Sequence, residues 1–246
     1  MKRFWTTATA ERAGDTYHVL LDGRPVRLPG GTPLQLPTAL LADAVAAEWQ
    51  AAGGQPGGEM GWDMVPLTRL AGTAQERIAP DPAPTADALA RYGESDLLCY
   101  RVDHPEELAR RQLRAWQPWL DWAAQRYGAR LVPTTGILHR PQDPAALEAL
   151  RRAVGEQDAL TLAALGVAVP ALGSLVLGLA LAEGALDADM AHTLATLDEA
   201  YQAEQWGEDA EAVRRRDGIG EDLAAAERLM RLAGARGRDG EARMVS

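Results

Sequence analysis

Three residue types are scarce in this chain of 246 residues, which has one cysteine, one lysine and one phenylalanine. The single cysteine, Cys99, excludes an intrachain disulfide and a thiolate metal cluster, and it fits a reducing compartment. The single lysine, Lys2, excludes a phosphate-binding loop of the usual G-x-x-x-x-G-K-[ST] form. ATP-driven chemistry by that route is therefore not expected.

Signatures of catalysis and metal binding are also lacking. The four histidines are scattered, without the paired spacing of a zinc site. Ser174 lies in GSL rather than in the G-x-S-x-G turn of a nucleophilic serine. No pair of carboxylates stands out from the acidic background. We therefore expect no catalytic, cofactor-binding or metal-binding residues, and we keep a small-molecule hydrolase with an unmarked acidic site as the alternative function.

Positive charge is in short supply as well, since 25 basic against 35 acidic residues give a net charge of -10. Such a balance disfavours nucleic acid and anionic lipid as partners. The N-terminal MKRFW is basic, but no apolar run follows it, so a secretory signal is not expected. These features predict a bacterial cytoplasmic protein.

One long uncharged run, Ala159–Ala182, has the length of a membrane span. It is rich in alanine and glycine, Pro170 divides it, and the flanking Asp158 and Glu183 are not the cationic anchors of a span. We therefore predict buried helices whose small residues allow close packing, and no membrane insertion.

The N-terminal segment has the pattern of β-structure. Tyr17–Leu21 is predicted as a strand, Asp22-Gly23 as a type I′ turn, and 24–28 as the return strand, with 4–9 as a further candidate. Thr38 is predicted to cap the first helix. After GGQPGG, predicted as a flexible loop, a helix is expected over 66–78, and Pro80, Pro82 and Pro84 are expected to form a stiff connector.

The remainder of the chain reads as helical. The expected segments are a short strand at 96–102 and helices at 106–127, 144–156, 158–170, 171–183, 187–206 and 208–233. The predicted fold class is therefore α+β. A small β-rich N-terminal domain with one or two helices is expected over 1–82, a mainly α-helical domain over 83–233, and a disordered tail over 234–246.

Tryptophan, in contrast to phenylalanine, is abundant, with seven residues. Trp116, Trp119 and Trp122 cluster in AWQPWLDW within the helix predicted at 106–127. They either belong to the core or form a partly exposed aromatic surface. The sequence alone leaves both interpretations open.

The stretch LDEAYQAEQWGEDAEA, residues 197–212, combines six acids and a tryptophan with no base. Helical periodicity predicts one core-facing stripe, formed by Met190, Leu194, Leu197 and Tyr201. The opposite side carries Glu199, Gln202 and Trp206. Either Trp206 packs against the following helix, or these three residues form a polar and aromatic patch that binds a protein partner.

Seven short motifs occur in an order that is typical of one family. They are RFW, LDGRPVRLP, LPT followed by AVAAEW, MVPLTRLAGTA, YGESDLLCYR, QLRAWQPWLDW and LDEAYQAEQWGED. The chain resembles the assembly chaperones of the F-type ATP synthase catalytic head, the family that binds the free alpha subunit. The resemblance extends from about residue 3 to about residue 230. It departs from the family at GGQPGGEMGWDMVPL, where a compact turn usually precedes the M-P-L motif.

The resemblance implies an ATP-independent chaperone with no catalysis and no cofactor, which holds the unassembled alpha subunit and promotes its assembly with beta. A monomer is expected. Eukaryotic members work in the mitochondrial matrix, and a bacterial member is implied here. The family's functional acidic residue is carried over to Glu199, with Asp198 as the neighbouring alternative. The predicted partner-binding residues are Glu199, Gln202, Trp206, Asp198 and Gln205.

Overall fold

The computed structural model describes residues 2–136 and 139–234. Its strands are β1 (Ala8–Ala13), β2 (Thr16–Leu21), β3 (Arg24–Pro25), β4 (Tyr100–Arg101) and β5 (Thr134–Thr135). Its α-helices are α1 (Ala39–Ala51), α2 (Pro66–Thr73), α3 (Ala83–Ala90), α4 (Glu106–Tyr127), α5 (Pro144–Gly155), α6 (Ala159–Leu172), α7 (Leu175–Ala182), α8 (Ala188–Ala195), α9 (Leu197–Trp206) and α10 (Ala210–Ala233). The chain is about 62% helical, and the predicted α+β class is confirmed.

The N-terminal sheet is antiparallel with the strand order β1-β2-β3. Asp22 and Gly23 join β2 to β3 with φ angles of 46° and 78°, as a type I′ turn requires, and the predicted hairpin is confirmed. The return strand β3 is shorter than expected, although the Val26 amide that follows it still donates to the Val19 carbonyl of β2 at 2.9 Å. The further candidate strand at 4–9 was placed too early, since β1 begins at Ala8.

Helix α1 begins as predicted, because the Thr38 hydroxyl accepts a hydrogen bond from the Leu41 amide at 3.1 Å. Its apolar stripe, Leu41, Val45 and Trp49, is buried. The Thr38 hydroxyl also donates to the Leu232 carbonyl of α10 at 2.7 Å. Thr38 thus caps α1 locally and also bonds the start of α1 to α10.

The helix predicted over 66–78 is present as α2 followed by a wider π-helical turn at Ala74–Ile78. A stiff connector containing Pro80, Pro82 and Pro84 was predicted next, and for Pro84 this prediction is wrong. Pro84 lies in the first turn of α3, where backbone amides have no acceptor within the helix and the missing N–H of proline costs no hydrogen bond. The expected strand at 96–102 is a 3₁₀ turn, Leu97–Cys99, followed by the two-residue β4, which pairs with β5 in parallel.

Two compact units are distinguished by the contacts between residues. The described part of the first consists of 2–81, 158–164 and 228–234, and the second of 82–136, 139–157 and 165–227. The prediction assigned one continuous segment, residues 1–82, to the first domain. In the structure, the later segments 158–164 and 228–234 also belong to the first unit. The hydrogen bond from the Thr38 hydroxyl to the Leu232 carbonyl is one of the contacts that join the segment 228–234 to this unit. The predicted disordered tail lies outside the described residues from 235 onward.

Helix α4 has the predicted bounds and continues through Pro118 to Tyr127. Trp116 is fully buried, while Trp119 and Trp122 remain partly exposed, so the tryptophan cluster contributes to both core and surface. The uncharged run forms α6 and α7, separated by Gly173 and by Ser174, whose hydroxyl caps α7. Among the described residues, none of the helices has the length and apolar character needed to cross a bilayer.

Candidate functional site

The predicted site lies where α9 ends and α10 begins. A cavity of about 340 Å³ opens at this corner, and three of the five predicted residues, Glu199, Gln202 and Trp206, line it. They share one side of α9 because of their spacing in the helix. The structure therefore brings together the three residues that periodicity placed on one face.

The corner is built by local sequence. Gly207 adopts a φ of 91°, which glycine accepts without strain, and its amide donates to the Ala203 carbonyl at 2.9 Å to end α9. The Asp209 carboxylate accepts the Ala212 amide at 3.1 Å and caps α10. Trp206, the last residue of α9, is left 79% exposed. The alternative in which Trp206 packs against the following helix is therefore wrong.

Two arginines of α10 bring positive charge to the acidic corner. Arg215 donates to the Glu199 carboxylate at 3.0 Å, and Arg216 donates to Glu208 at 2.8 Å. Both arginines line the cavity, so the site is a mixed-charge surface around an exposed indole. The sequence interpretation missed them, although the run Arg214–Arg216 directly follows the acidic stretch and was the available signal.

Asp198 belongs to a different surface of α9. Its two carboxylate oxygens accept hydrogen bonds from the Gln112 side-chain amide at 2.8 and 3.1 Å. Burial raises the pKa of Asp198, while the Gln112 bond and the Arg101 charge act in the opposite direction. Asp198 was predicted as a partner-binding residue beside Glu199, but it does not line the cavity, because adjacent residues on a helix point in directions about 100° apart.

A polar network beneath α9 holds Asp198 in place. The fully buried Gln112 side chain accepts the Val102 amide at 2.8 Å, and Arg101 donates to the Gln112 carbonyl at 2.8 Å. The Trp116 indole donates to the Leu194 carbonyl at 2.9 Å. In the sequence, Gln112 was the available signal for this network. It lies one helical turn from the apolar Leu108 and Trp116, and a buried polar side chain requires hydrogen-bond partners.

The core-facing stripe that was predicted for residues 190–201 is interrupted. The helix predicted over 187–206 breaks at Thr196, with φ -99° and ψ 12°, into α8 and α9. Leu194 and Tyr201 are buried as predicted, but Met190 is 51% exposed. Leu197 is partly exposed. Met190 lies in the first turn of α8, so the buried stripe begins at Leu194 and the prediction for Met190 was wrong.

The remaining predicted residue, Gln205, is exposed and does not line the cavity. Beside it, Glu204 accepts two hydrogen bonds from Arg111 at 2.9 and 2.8 Å. The Arg111 guanidinium also lies 5.2 Å from the centre of the Tyr201 ring. Helix α9 is thus bound to α4 on one side and open to solvent on the other.

Sequence comparison places this arrangement in a family. The profile of the ATP12 chaperone protein family matches residues 2–124, half of the chain. The chain belongs to the ATP12 chaperone family. The crystal structure of Atp12 from Paracoccus denitrificans is similar, with a TM-score of 0.87 and 43% identity over 94% of this chain and 98% of that one.

Two further proteins are similar to this chain. A structure from Agrobacterium tumefaciens has a TM-score of 0.87 and 38% identity, covering 94% of this chain and 85% of that one. The mitochondrial protein atp12 of Schizosaccharomyces pombe is 26% identical over 230 residues, which are 88% of this chain and 78% of that protein.

ATP12 family proteins are assembly chaperones for the ATP synthase and not enzymes, which overturns the hydrolase alternative. The absence of a catalytic signature in the sequence agrees with this. Across residues 2–136 and 139–234, no group of three or more His, Cys, Asp or Glu residues is placed to hold a metal ion.

Proposed function

We propose that this chain is an ATP-independent chaperone that binds the unassembled alpha subunit of the F-type ATP synthase catalytic head and promotes its assembly with beta. The observation that carries the proposal is the exposed Trp206, set between Glu199 and the α10 arginines at a glycine-formed corner. For a bacterial member, we expect a monomer that acts in the cytoplasm.

The chemistry of the corner suits a protein partner. A subunit outside its complex exposes an apolar interface that promotes misassociation. Exposed tryptophan and arginine are the residue types most enriched among the residues that dominate binding energy in protein interfaces. Trp206 would insert into an apolar pocket of the alpha subunit, while the surrounding charges set the orientation.

The two acidic neighbours then have separate roles. Glu199, whose partner Arg215 is itself exposed, is available to exchange that ion pair for one with the alpha subunit. Asp198 acts indirectly, because its bonds to Gln112 position α9 on α4. Gln202 lines the cavity and Gln205 lies on the exposed rim, where polar contacts contribute less.

Binding of purified alpha subunit, measured by calorimetry and by suppression of its aggregation in light scattering, tests the proposal. We expect saturable binding that is unchanged by ATP. Trp206→Ala and Glu199→Lys should each weaken binding by about tenfold or more, with the melting temperature nearly unchanged. Leu40→Ala, which removes another exposed apolar side chain on α1, is the matched control and should bind as the parent does.

Two results would contradict the proposal. One is equal aggregation of the alpha subunit with and without the chaperone. The other is tight binding that neither Trp206→Ala nor Glu199→Lys weakens, which would place the interface elsewhere. A large fall in melting temperature for Glu199→Lys would show instead that this residue is structural.

A further inference from the structure

The first unit contains a row of four aromatic rings whose two terminal rings are exposed. Phe4, Trp5, Trp49 and Trp62 follow one another with ring centroids 5.2, 5.0 and 6.4 Å apart, each pair edge to face. The two middle rings are buried, whereas Phe4 is 68% and Trp62 is 51% exposed. Two large apolar side chains therefore face solvent at fixed points.

The buried rings hold the exposed ones in position. The Trp5 indole donates to the Trp49 carbonyl at 3.0 Å, and the Trp49 indole donates to the Thr68 hydroxyl at 2.9 Å. Such bonds fix the ring planes, so Phe4 and Trp62 rest on a rigid base. A surface that is ordered before binding loses less entropy when a partner arrives.

The segment that departs from the usual family pattern places Trp62 here. Arg3 donates to the Gly54 carbonyl at 2.5 Å, and the Gly57 amide donates to the Arg3 carbonyl at 2.7 Å. A side chain on Gly58 would overlap the Gly53 carbonyl oxygen, so the loop closes only with glycine there. The loop predicted to be flexible is thus bonded to Arg3, and it leads into the turn at Trp62–Met64.

A cavity of about 510 Å³ lies between the two exposed rings. Phe4, Trp49 and Trp62 line it, together with Arg24 and Arg27 from the hairpin and its continuation. Its rim carries two guanidinium groups, and none of its lining residues is acidic.

A second cavity, of about 240 Å³, adjoins the other side of Trp62. Arg69 and Arg77 line it, with Glu76 as its only acidic residue. The Glu76 carboxylate already accepts the Gly30 amide at 2.9 Å. The two cavities form one surface around Trp62, which we name the Trp62 groove.

Positive charge is concentrated at this groove in an acidic chain. The four arginines Arg24, Arg27, Arg69 and Arg77 are all exposed. Within the described residues, no carboxylate lies within 4.0 Å of any of their guanidinium nitrogens, although Arg27 donates to the Gly31 carbonyl at 2.7 Å. These charges are therefore available to a ligand.

We propose that the Trp62 groove binds an acidic segment of a partner protein that carries one large apolar side chain. The apolar side chain would lie between Phe4 and Trp62, and carboxylates on either side of it would pair with the four arginines. A nucleic acid would also meet arginine and aromatic groups, but the net charge of -10 repels a polyphosphate. The proposal is independent of the function assigned to α9.

A synthetic peptide with a central phenylalanine between runs of aspartate and glutamate is the probe. Its fluorescence anisotropy with the full chain should show saturable binding that weakens as salt is added. Replacing its phenylalanine by serine, or its acids by lysine, should abolish binding. Arg24→Glu with Arg69→Glu should weaken binding by about tenfold or more, and Trp62→Ala should do the same.

Arg12→Glu is the matched control, because it reverses the charge of another exposed arginine of the same unit outside the groove. It should change affinity by less than about twofold. Circular dichroism melting curves verify folding, and the charge reversals remain informative if Trp62→Ala fails to fold.

Three outcomes would overturn the proposal. The first is equal binding of the acidic and lysine peptides, or none by either. The second is a single-stranded oligonucleotide that binds more tightly and displaces the acidic peptide. The third is sedimentation that shows self-association through the groove, abolished by the Arg24→Glu and Arg69→Glu variant, which would make a second copy the occupant.

Discussion

The Trp62 groove and the α9 corner each present one exposed tryptophan, but the two are supported differently. Trp62 rests on buried indoles and is surrounded by arginines without carboxylate partners. Trp206 stands at a helix end, among acids that are already paired with arginines, above a polar network. An exposed tryptophan can therefore be supported either by apolar side chains of the core or by buried hydrogen bonds.

The largest expected effect tests the apolar support. Trp49→Ala should destabilise the protein by about 3–5 kcal/mol, because it removes a buried indole and leaves a cavity under Trp62. Trp206→Ala is the matched change at the exposed ring and should cost less than about 0.5 kcal/mol. Urea unfolding of both variants measures the difference, and equal losses would show that Trp206 is part of the core.

The next effect tests the polar support. Gln112→Ala should cost about 2–4 kcal/mol, since the Val102 amide and the Asp198 carboxylate would lose their partner while partly buried. It should also weaken binding of the alpha subunit by displacing α9. Leu113→Ala, an exposed neighbour on α4, is the control. Unchanged stability in Gln112→Ala would mean that the network does not hold α9.

The smallest effect concerns pH and the first unit alone. Glu48 accepts the Leu67 and Thr68 amides at the start of α2, and burial raises the pKa of Glu48 to about 7 from 4.5. The folded state therefore binds more protons than the unfolded state between these values, so stability falls as pH rises from about 4.5 to 7.

The difference in unfolding free energy between the parent and Glu48→Gln isolates this contribution. It should fall by about 1–3 kcal/mol over that pH window and stay constant above it. Urea titrations at several pH values measure it. A difference that does not vary with pH would show that Glu48 titrates normally.

Much of the fold could be predicted because its signals are local. The type I′ turn at Asp22-Gly23, the Thr38 cap and the bounds of α4 each depend on residues within one or two turns. The face shared by Glu199 and Trp206 also follows from helical spacing. Family motifs add the class of function, which periodicity does not supply.

The missed features depend on residues far apart in the chain. The inward position of Asp198 arises where α9 packs against α4, and the ion pair of Glu199 with Arg215 joins α9 to α10. The Trp62 groove likewise joins residues 4, 24 and 62.

The sequence by itself determined the α+β class, the local caps and turns, the three-residue face of α9 and the family. Only the tertiary structure decided that Trp206 is exposed, that Asp198 is bonded to Gln112 while Glu199 pairs with Arg215, and that arginines surround Trp62. The physical reason is that helix and turn preferences act over a few residues. Burial and charge pairing, by contrast, depend on which distant side chains the folded chain brings within a few ångströms.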